Sequence, residues 1–175
     1  MNKEGLLKIL DQDIDDVLNS LYGFDGSNEE MAQMVNWAIE IAEDKNQKLL
    51  IRHHALESIH MLPPHEPPGR EARFRDIVWN RIGGASAERL LSLIQNEIDT
   101  SFLHSLARAL SFVIYNTAGV ELRKIASSFK TRLSMMINKM DERAQKETHS
   151  DRTPSYGEIF QKLQYMQAKF EEKIS

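Results

Sequence analysis

The stretch NQKLLIRHHALESIHMLPPHEPPG, residues 46–69, decides how the rest of the chain is interpreted. Its first half carries apolar residues at helical spacing, and its second half holds four of the five prolines. Proline lacks the amide hydrogen and disfavours helix in the residue before it, so we expect a helix over 47–62 that stops at Pro63. Residues 63–69 then predict a stiff connector of polyproline character.

On both sides of this stretch, apolar residues recur at three- and four-residue steps, which is typical of amphipathic helices. The pattern predicts helices over 6–21, 28–43, 70–82, 86–98, 101–116, 120–146 and 155–174. Two Ser-x-x-Glu sequences, Ser27 with Glu30 and Ser155 with Glu158, predict capping boxes. No stretch alternates with a period of two residues, so no sheet is expected.

Small and polar residues mark the expected helix ends in the second half of the chain. Gly83 and Gly84 are expected to end one helix, and Ser86 to cap the next. Thr100 or Ser101 is expected to cap the helix after that. These breaks divide the chain into about eight helices.

The expected fold class is all-α, with about eight helices packed as stacked antiparallel hairpins in a short solenoid. A compact helical bundle is the alternative. We interpret all 175 residues as one domain, because a chain of this length can bury its own hydrophobic core. Within it we distinguish an acidic N-terminal layer (1–62), the connector (63–69) and the C-terminal helices (70–175).

The sequence Ile51-Arg52-x-x-Ala55-Leu56-x-x-Ile59 resembles the pattern of the second helix in HEAT repeats. A shift of 51 residues lays Phe102, Leu106, Ala107 and Leu110 over Ile51, Ala55, Leu56 and Ile59. This resemblance implies helical hairpins that stack because each one alone exposes too much apolar surface. The chain is also similar in kind to bacterial toxin immunity proteins, some of which are helical and HEAT-like.

Charge is unevenly distributed along the chain. Residues 1–48 contain four lysines and eleven acidic residues, a net charge of −7, whereas the whole chain carries −4. An acidic surface repels phosphate backbones and attracts basic proteins, which favours a basic protein partner over nucleic acid. The residues that we predict to bind this partner are Asp11, Asp13, Asp15, Asp16, Glu29, Glu30, Trp37, Glu57 and Arg73. A solvated helix face is the other interpretation of these charges.

An arginine-rich stretch over 70–89 supplies an alternative binding surface. Its members are Arg70, Arg73, Arg75, Arg81 and Arg89, with Phe74 and Trp79 between them. Arginine binds phosphate and carboxylate in a bidentate manner, and aromatic rings stack on bases. The alternative function is therefore a helical-repeat protein that binds nucleic acid, unless these arginines pair with nearby acids on a solvated face.

Histidines suggest metal binding but do not complete a site. His53, His54, Glu57 and His60 share one helix, and Glu57-x-x-His60 has the spacing found in di-iron bundles. Those bundles need a second such motif and two further glutamates, which we do not find. We therefore expect no metal, and we interpret His53 and His60 as packing residues. A zinc site formed by His60 and His65 would also lack an obvious third ligand.

Catalytic motifs are also missing from the sequence. There is no cysteine, no phosphate-binding loop, no dinucleotide fingerprint and no Gly-x-Ser-x-Gly elbow. We therefore expect no enzymatic activity and no cofactor. The acidic start and the lack of a long apolar run predict a cytoplasmic protein with no membrane segment.

Together these features favour a non-catalytic protein-binding module. The best interpretation is an immunity protein, or antitoxin, that neutralises a nuclease toxin by covering its basic active-site face.

Overall fold

A computed structural model describes residues 1–22, 24, 26–61, 75–147 and 154–175. In these residues the regular structure is helical and contains no β-strand, which confirms the all-α prediction. The predicted connector 63–69 and Arg73 lie outside the described residues, as do Leu62 and Arg70.

The described residues form eight α-helices, α1 (Lys3–Leu10), α2 (Ile14–Tyr22), α3 (Asn28–Glu43), α4 (Leu49–Met61), α5 (Asn80–Asn96), α6 (Thr100–Asn116), α7 (Gly119–Lys146) and α8 (Tyr156–Ile174). A π-helical turn, Arg75–Trp79, leads directly into α5. Internal contacts divide the chain into two compact units, Met1–Ile82 and Gly83–Ser175. That all 175 residues form a single domain stays a prediction.

The first unit begins with two short helices where the sequence pattern predicted one. α1 ends at Leu10, and the amide of Asp11 donates to the carbonyl of Leu7 (3.1 Å). α2 then starts at Ile14, so the prediction of one helix over 6–21 is wrong. The apolar spacing continues because both helices bury one face, while the polar Asp-Gln-Asp sequence allows the chain to turn.

Helices α3 and α4 form an antiparallel hairpin in the first unit, and two buried polar side chains of α4 hold its neighbours. Arg52 Nε donates to the carbonyl of Ala42 at the end of α3 (2.8 Å). His54 Nδ1 lies 2.8 Å from the carbonyl of Leu10 at the end of α1. A carbonyl oxygen only accepts, so Nδ1 carries the hydrogen. These contacts join α4 to both α3 and α1.

In the second unit, Gly83 and Gly84 do not end a helix, because α5 continues through both. A Cβ on Gly83 would lie 1.9 Å from Oγ1 of the buried Thr117. Glycine is therefore needed where α5 approaches the end of α6, and it does not mark a break. Ser86 is buried inside α5 and caps no helix.

The caps of the other helices follow the sequence in part. Asp99, and neither Thr100 nor Ser101, caps α6 by accepting a hydrogen bond from the amide of Phe102 (2.8 Å). Both predicted capping boxes are confirmed at the starts of α3 and α8. The cap predictions were therefore correct where a serine and a glutamate side chain each accept a hydrogen bond from the other residue's backbone amide.

The four helices of the second unit form two antiparallel hairpins, α5/α6 and α7/α8. Corresponding helices lie side by side and run in the same direction. Glu88 and Gln95 of α5 contact Arg132 and Lys139 of α7 in the same order. Tyr156 and Lys173 lie beside the start and the end of α6. This arrangement is consistent both with stacked helical hairpins and with a helical bundle.

All eight residues of the 51-residue shift are buried, four in α4 and four in α6. Both helices are the second helix of a hairpin. Any amphipathic helix would bury residues at this spacing, so the HEAT resemblance stays a prediction.

Candidate protein-binding site

The turn between α1 and α2 concentrates negative charge at the surface. Asp11, Asp13, Asp15 and Asp16 fall within six residues, and all four side chains are exposed. Asp15 and Asp16 occupy the first turn of α2, where a carboxylate interacts favourably with the free amide groups of the helix. Part of this charge therefore stabilises α2 itself.

Three lysines of the first unit form ion pairs with acidic residues of the same unit. The pairs are Lys3 with Glu40 (2.6 Å), Lys8 with Glu4 (3.8 Å) and Lys48 with Asp11 (2.8 Å). Within the described part of the chain, no ion pair neutralises Asp13, Asp15 or Asp16. These three carboxylates are therefore available to a cationic partner.

Large apolar side chains lie next to these aspartates and are exposed to solvent. Ile14, at the start of α2, is 37% exposed, and Leu49 and Leu50, at the start of α4, are 44% and 59% exposed. All three belong to the apolar pattern of the sequence, yet the structure exposes them. Leu49, Leu50 and Ile51 are consecutive, so one helix cannot turn all of them toward the same core.

Two contacts bring the start of α4 beside the turn. Lys48 Nζ pairs with Asp11, and Leu50 lies one helical turn before His54, whose ring contacts the carbonyl of Leu10. We call the surface formed by Asp11, Asp13, Ile14, Asp15, Asp16 and Leu50 the aspartate face. It combines exposed apolar groups with a charged rim, as protein interfaces do.

Three other predicted residues lie on a different surface. Glu29, Glu30 and Trp37 share the outer side of α3. Glu29 precedes Glu40 by eleven residues, about 16 Å along the helix, and it is Glu40 that pairs with α1. The structure therefore does not bring these residues to the aspartate face.

Their individual surroundings also suggest local roles. The Glu30 carboxylate accepts a hydrogen bond from the amide of Ser27 (2.8 Å), which with the Ser27 side chain holds the pKa of Glu30 below its usual value. Glu29 pairs with Arg81 (3.7 Å), and Trp37 is half-buried. Glu57 is half-buried two turns after Leu50 on the same side of α4.

The histidine helix supplies packing contacts. His54 is buried against α1, and Ser58 Oγ donates to the carbonyl of Ala55 (2.7 Å). Among the described residues, no group of three His, Cys, Asp or Glu side chains is arranged to hold a metal ion. His65 lies outside the described residues.

Basic residues of the second unit are mostly engaged within the fold. Arg132 binds Glu88, Lys139 Nζ donates to the carbonyl of Gln95 (2.8 Å) and Arg143 donates to the carbonyl of Glu97 (3.2 Å). Lys139 and Arg143 thus bind carbonyl groups at the end of α5, where helical partners are lacking.

Of the arginine-rich stretch, Arg81 is exposed and Arg89 is half-buried. Its other arginines lie outside the described residues or have side chains that the structure does not describe. Trp79 is fully buried. Among the described residues of 70–89, its ring therefore does not form an exposed basic surface together with the arginines.

Comparison with known proteins found no matching family model, no matching curated protein and no matching solved structure. In the described part of the chain, no helix has both the length and the apolar character needed to cross a membrane.

Proposed function

We propose that this chain is a protein-binding module that takes a basic protein partner on the aspartate face. The observation that carries the proposal is the exposure of Ile14 among the aspartates of residues 11–16, with the exposed Leu50 on a helix whose start is held at this turn by the Lys48–Asp11 pair. Apolar contact supplies the favourable free energy of association, and the carboxylates attract and orient a cationic partner.

The finer proposal concerns the kind of partner. An enzyme that cleaves nucleic acid must present a basic surface to bind phosphates. An acidic, partly apolar face is complementary to such a surface and would exclude the substrate by covering it. We therefore propose an immunity protein, or antitoxin, that neutralises a nuclease toxin in this way. The acidic character of residues 1–48 supports this proposal, as does the resemblance to helical immunity proteins.

Affinity capture with matched baits tests the proposal. The wild-type chain, D13N/D15N/D16N, and the control E4Q/E142Q/E171Q are immobilised and exposed to lysate of the source cells at low and high salt. The control removes the same number of negative charges from exposed positions outside the face. We expect one basic protein to bind the wild type and the control, with at least about tenfold less bound to D13N/D15N/D16N.

Equal recovery on all three baits, or no basic protein on any of them, would contradict the proposal. If the captured material were instead nucleic acid, and salt weakened its binding steeply, the alternative function would be favoured. Purified partner then allows the dissociation constant to be measured for each variant.

A further inference from the structure

The second unit exposes two tyrosines on neighbouring helices. Tyr115, near the end of α6, is 69% exposed, and Tyr165, on α8, is 64% exposed. Tyrosine carries a large apolar ring with a polar hydroxyl, and it is enriched where proteins bind one another. Two such rings on adjacent helices form a candidate interaction surface.

Lysines join the two tyrosines into one surface. Lys173 Nζ lies 5.7 Å from the centre of the Tyr115 ring and donates to the carbonyls of Ile114 (3.0 Å), Thr117 (2.7 Å) and Tyr115. Lys169 pairs with Glu172 (2.7 Å). Tyr165, Lys169 and Lys173 follow one another at four-residue steps on α8, so they share the side of the helix that contacts Tyr115.

Further cations extend this surface toward the start of the two helices. Arg108 lies two turns before Tyr115 on α6, and Lys162 lies two turns before Lys169 on α8. His104, one helical turn before Arg108 on α6, is half-buried, and both cations help to lower its pKa. We call Arg108, Tyr115, Lys162, Tyr165 and Lys169 the tyrosine face. With Lys173 it holds four cations, against the carboxylates of Glu158 and Glu172.

We propose that the tyrosine face docks the aspartate face of a second copy of this chain. The two surfaces are complementary, since one presents aspartates around Ile14 and Leu50 and the other presents cations around two tyrosines. Residues 1–82 carry a net charge of −6 and residues 83–175 a net charge of +2, so each chain has both polarities. Ile14 and Leu50 of one face and Tyr115 and Tyr165 of the other are exposed, so another copy can contact both faces.

The contact joins two different surfaces, so it does not close as a symmetric dimer does. A dimer formed in this way leaves one aspartate face open on one copy and one tyrosine face open on the other, which allows further copies to add. Association is therefore expected to increase with concentration and to weaken with salt. The inference does not depend on the proposed function, although a basic partner on the aspartate face would compete with the second copy.

Sedimentation velocity with two blocked variants tests the inference. D13N/D15N/D16N blocks the aspartate face, and Y115A/K162Q/Y165A blocks the tyrosine face at exposed or half-buried side chains. We expect the mean mass of the wild type to rise up to about 1 mM and to rise less at about 0.5 M salt. Each variant alone is expected to remain monomeric. Mixed equally, the two variants should form one-to-one dimers, because each retains the face that the other lacks.

The control E4Q/E142Q/E171Q should associate as the wild type does, and circular dichroism confirms that each variant is folded. The inference is overturned if the wild type is monomeric at low salt, if either blocked variant associates like the wild type, or if the mixture stays monomeric. A monomeric wild type that still captures a basic partner would overturn this inference and leave the proposed function intact.

Discussion

Gly83 and Gly84 are neighbours in α5, yet they differ in the space available to a side chain. A Cβ on Gly83 would meet Thr117 Oγ1 at 1.9 Å and Cγ2 at 2.8 Å, whereas one on Gly84 would have its nearest contact at 3.7 Å. Thr117 cannot move away easily, because it is fully buried and its hydroxyl donates to the carbonyl of Val113 (2.6 Å). The close approach of α5 to the end of α6 thus depends on the absence of a side chain at Gly83.

We predict opposite effects for alanine at these two positions. Gly83→Ala should lower the free energy of unfolding by about 1–3 kcal/mol, because the new methyl group overpacks against Thr117. Gly84→Ala should raise it by about 0.5–1 kcal/mol, because alanine favours the helix interior. Urea denaturation followed by circular dichroism measures both. Equal effects of the two substitutions would show that α5 does not approach Thr117 as described.

His104 provides a pH-dependent contribution to stability. Burial lowers its pKa below the ordinary value of 6.5, and the charges of Lys162 and Arg108 lower it further, while Glu158 opposes them. The unfolded chain therefore binds a proton at a higher pH than the folded chain does. Folding stability contributed by neutral His104 is present above about pH 6.5 and is lost as the pH falls toward the lowered pKa.

We expect His104→Gln to reduce this pH dependence. Unfolding free energies of the wild type and the variant are measured by urea denaturation between pH 5 and 8. The wild type should lose stability relative to His104→Gln as the pH falls below about 6.5. Parallel pH profiles for the two proteins would show that the His104 pKa is not lowered by folding.

At the scale of the elements, polar contacts join α5 to α7. Arg132 binds Glu88 and donates to Ser92 Oγ (2.6 Å) and to Gln95 Oε1 (3.3 Å). Both charged side chains are only about a quarter exposed, so water screens their interaction less than at an open surface. Removing the arginine would leave the Glu88 carboxylate half-buried without this cation.

Arg132→Met should therefore destabilise the chain by about 1–3 kcal/mol. Lys124→Met is the control, because Lys124 lies on the same helix, pairs with Glu121 three residues away and is itself 65% exposed. Its effect should stay below about 0.5 kcal/mol. Thermal and urea unfolding compare the two variants, and an equal cost for both would contradict the role of the α5–α7 contacts.

The sequence pattern predicted the helices well and their boundaries less well. Capping boxes were predictable at Ser27 and Ser155, because each depends on two residues at a fixed local spacing. The turn after Leu10 was missed, since the apolar period continues across it. Gly83 was interpreted as a break because its steric role depends on Thr117, 34 residues away. Such contacts are not visible in local spacing.

At the scale of the whole molecule, the candidate site was predictable only in part. The excess of acids in residues 1–48 indicates an acidic surface from the sequence alone. Which acids remain unneutralised could not be predicted, because the pairing of Lys48 with Asp11 depends on the packing of α4 against α1. The exposure of Leu50 also depends on how α4 packs. The net charge of a segment follows from its composition, whereas the residues that form an interface depend on how the helices pack.

Hydrogen–deuterium exchange with the captured basic partner tests whether that partner binds the aspartate face, because it locates the binding surface on the chain. Exchange of each peptide is compared with and without the partner. We predict that residues 11–20 and 48–53 become protected, and that D13N/D15N/D16N loses this protection at the same partner concentration. Protection confined to other parts of the chain, with no change over these two ranges, would contradict the account.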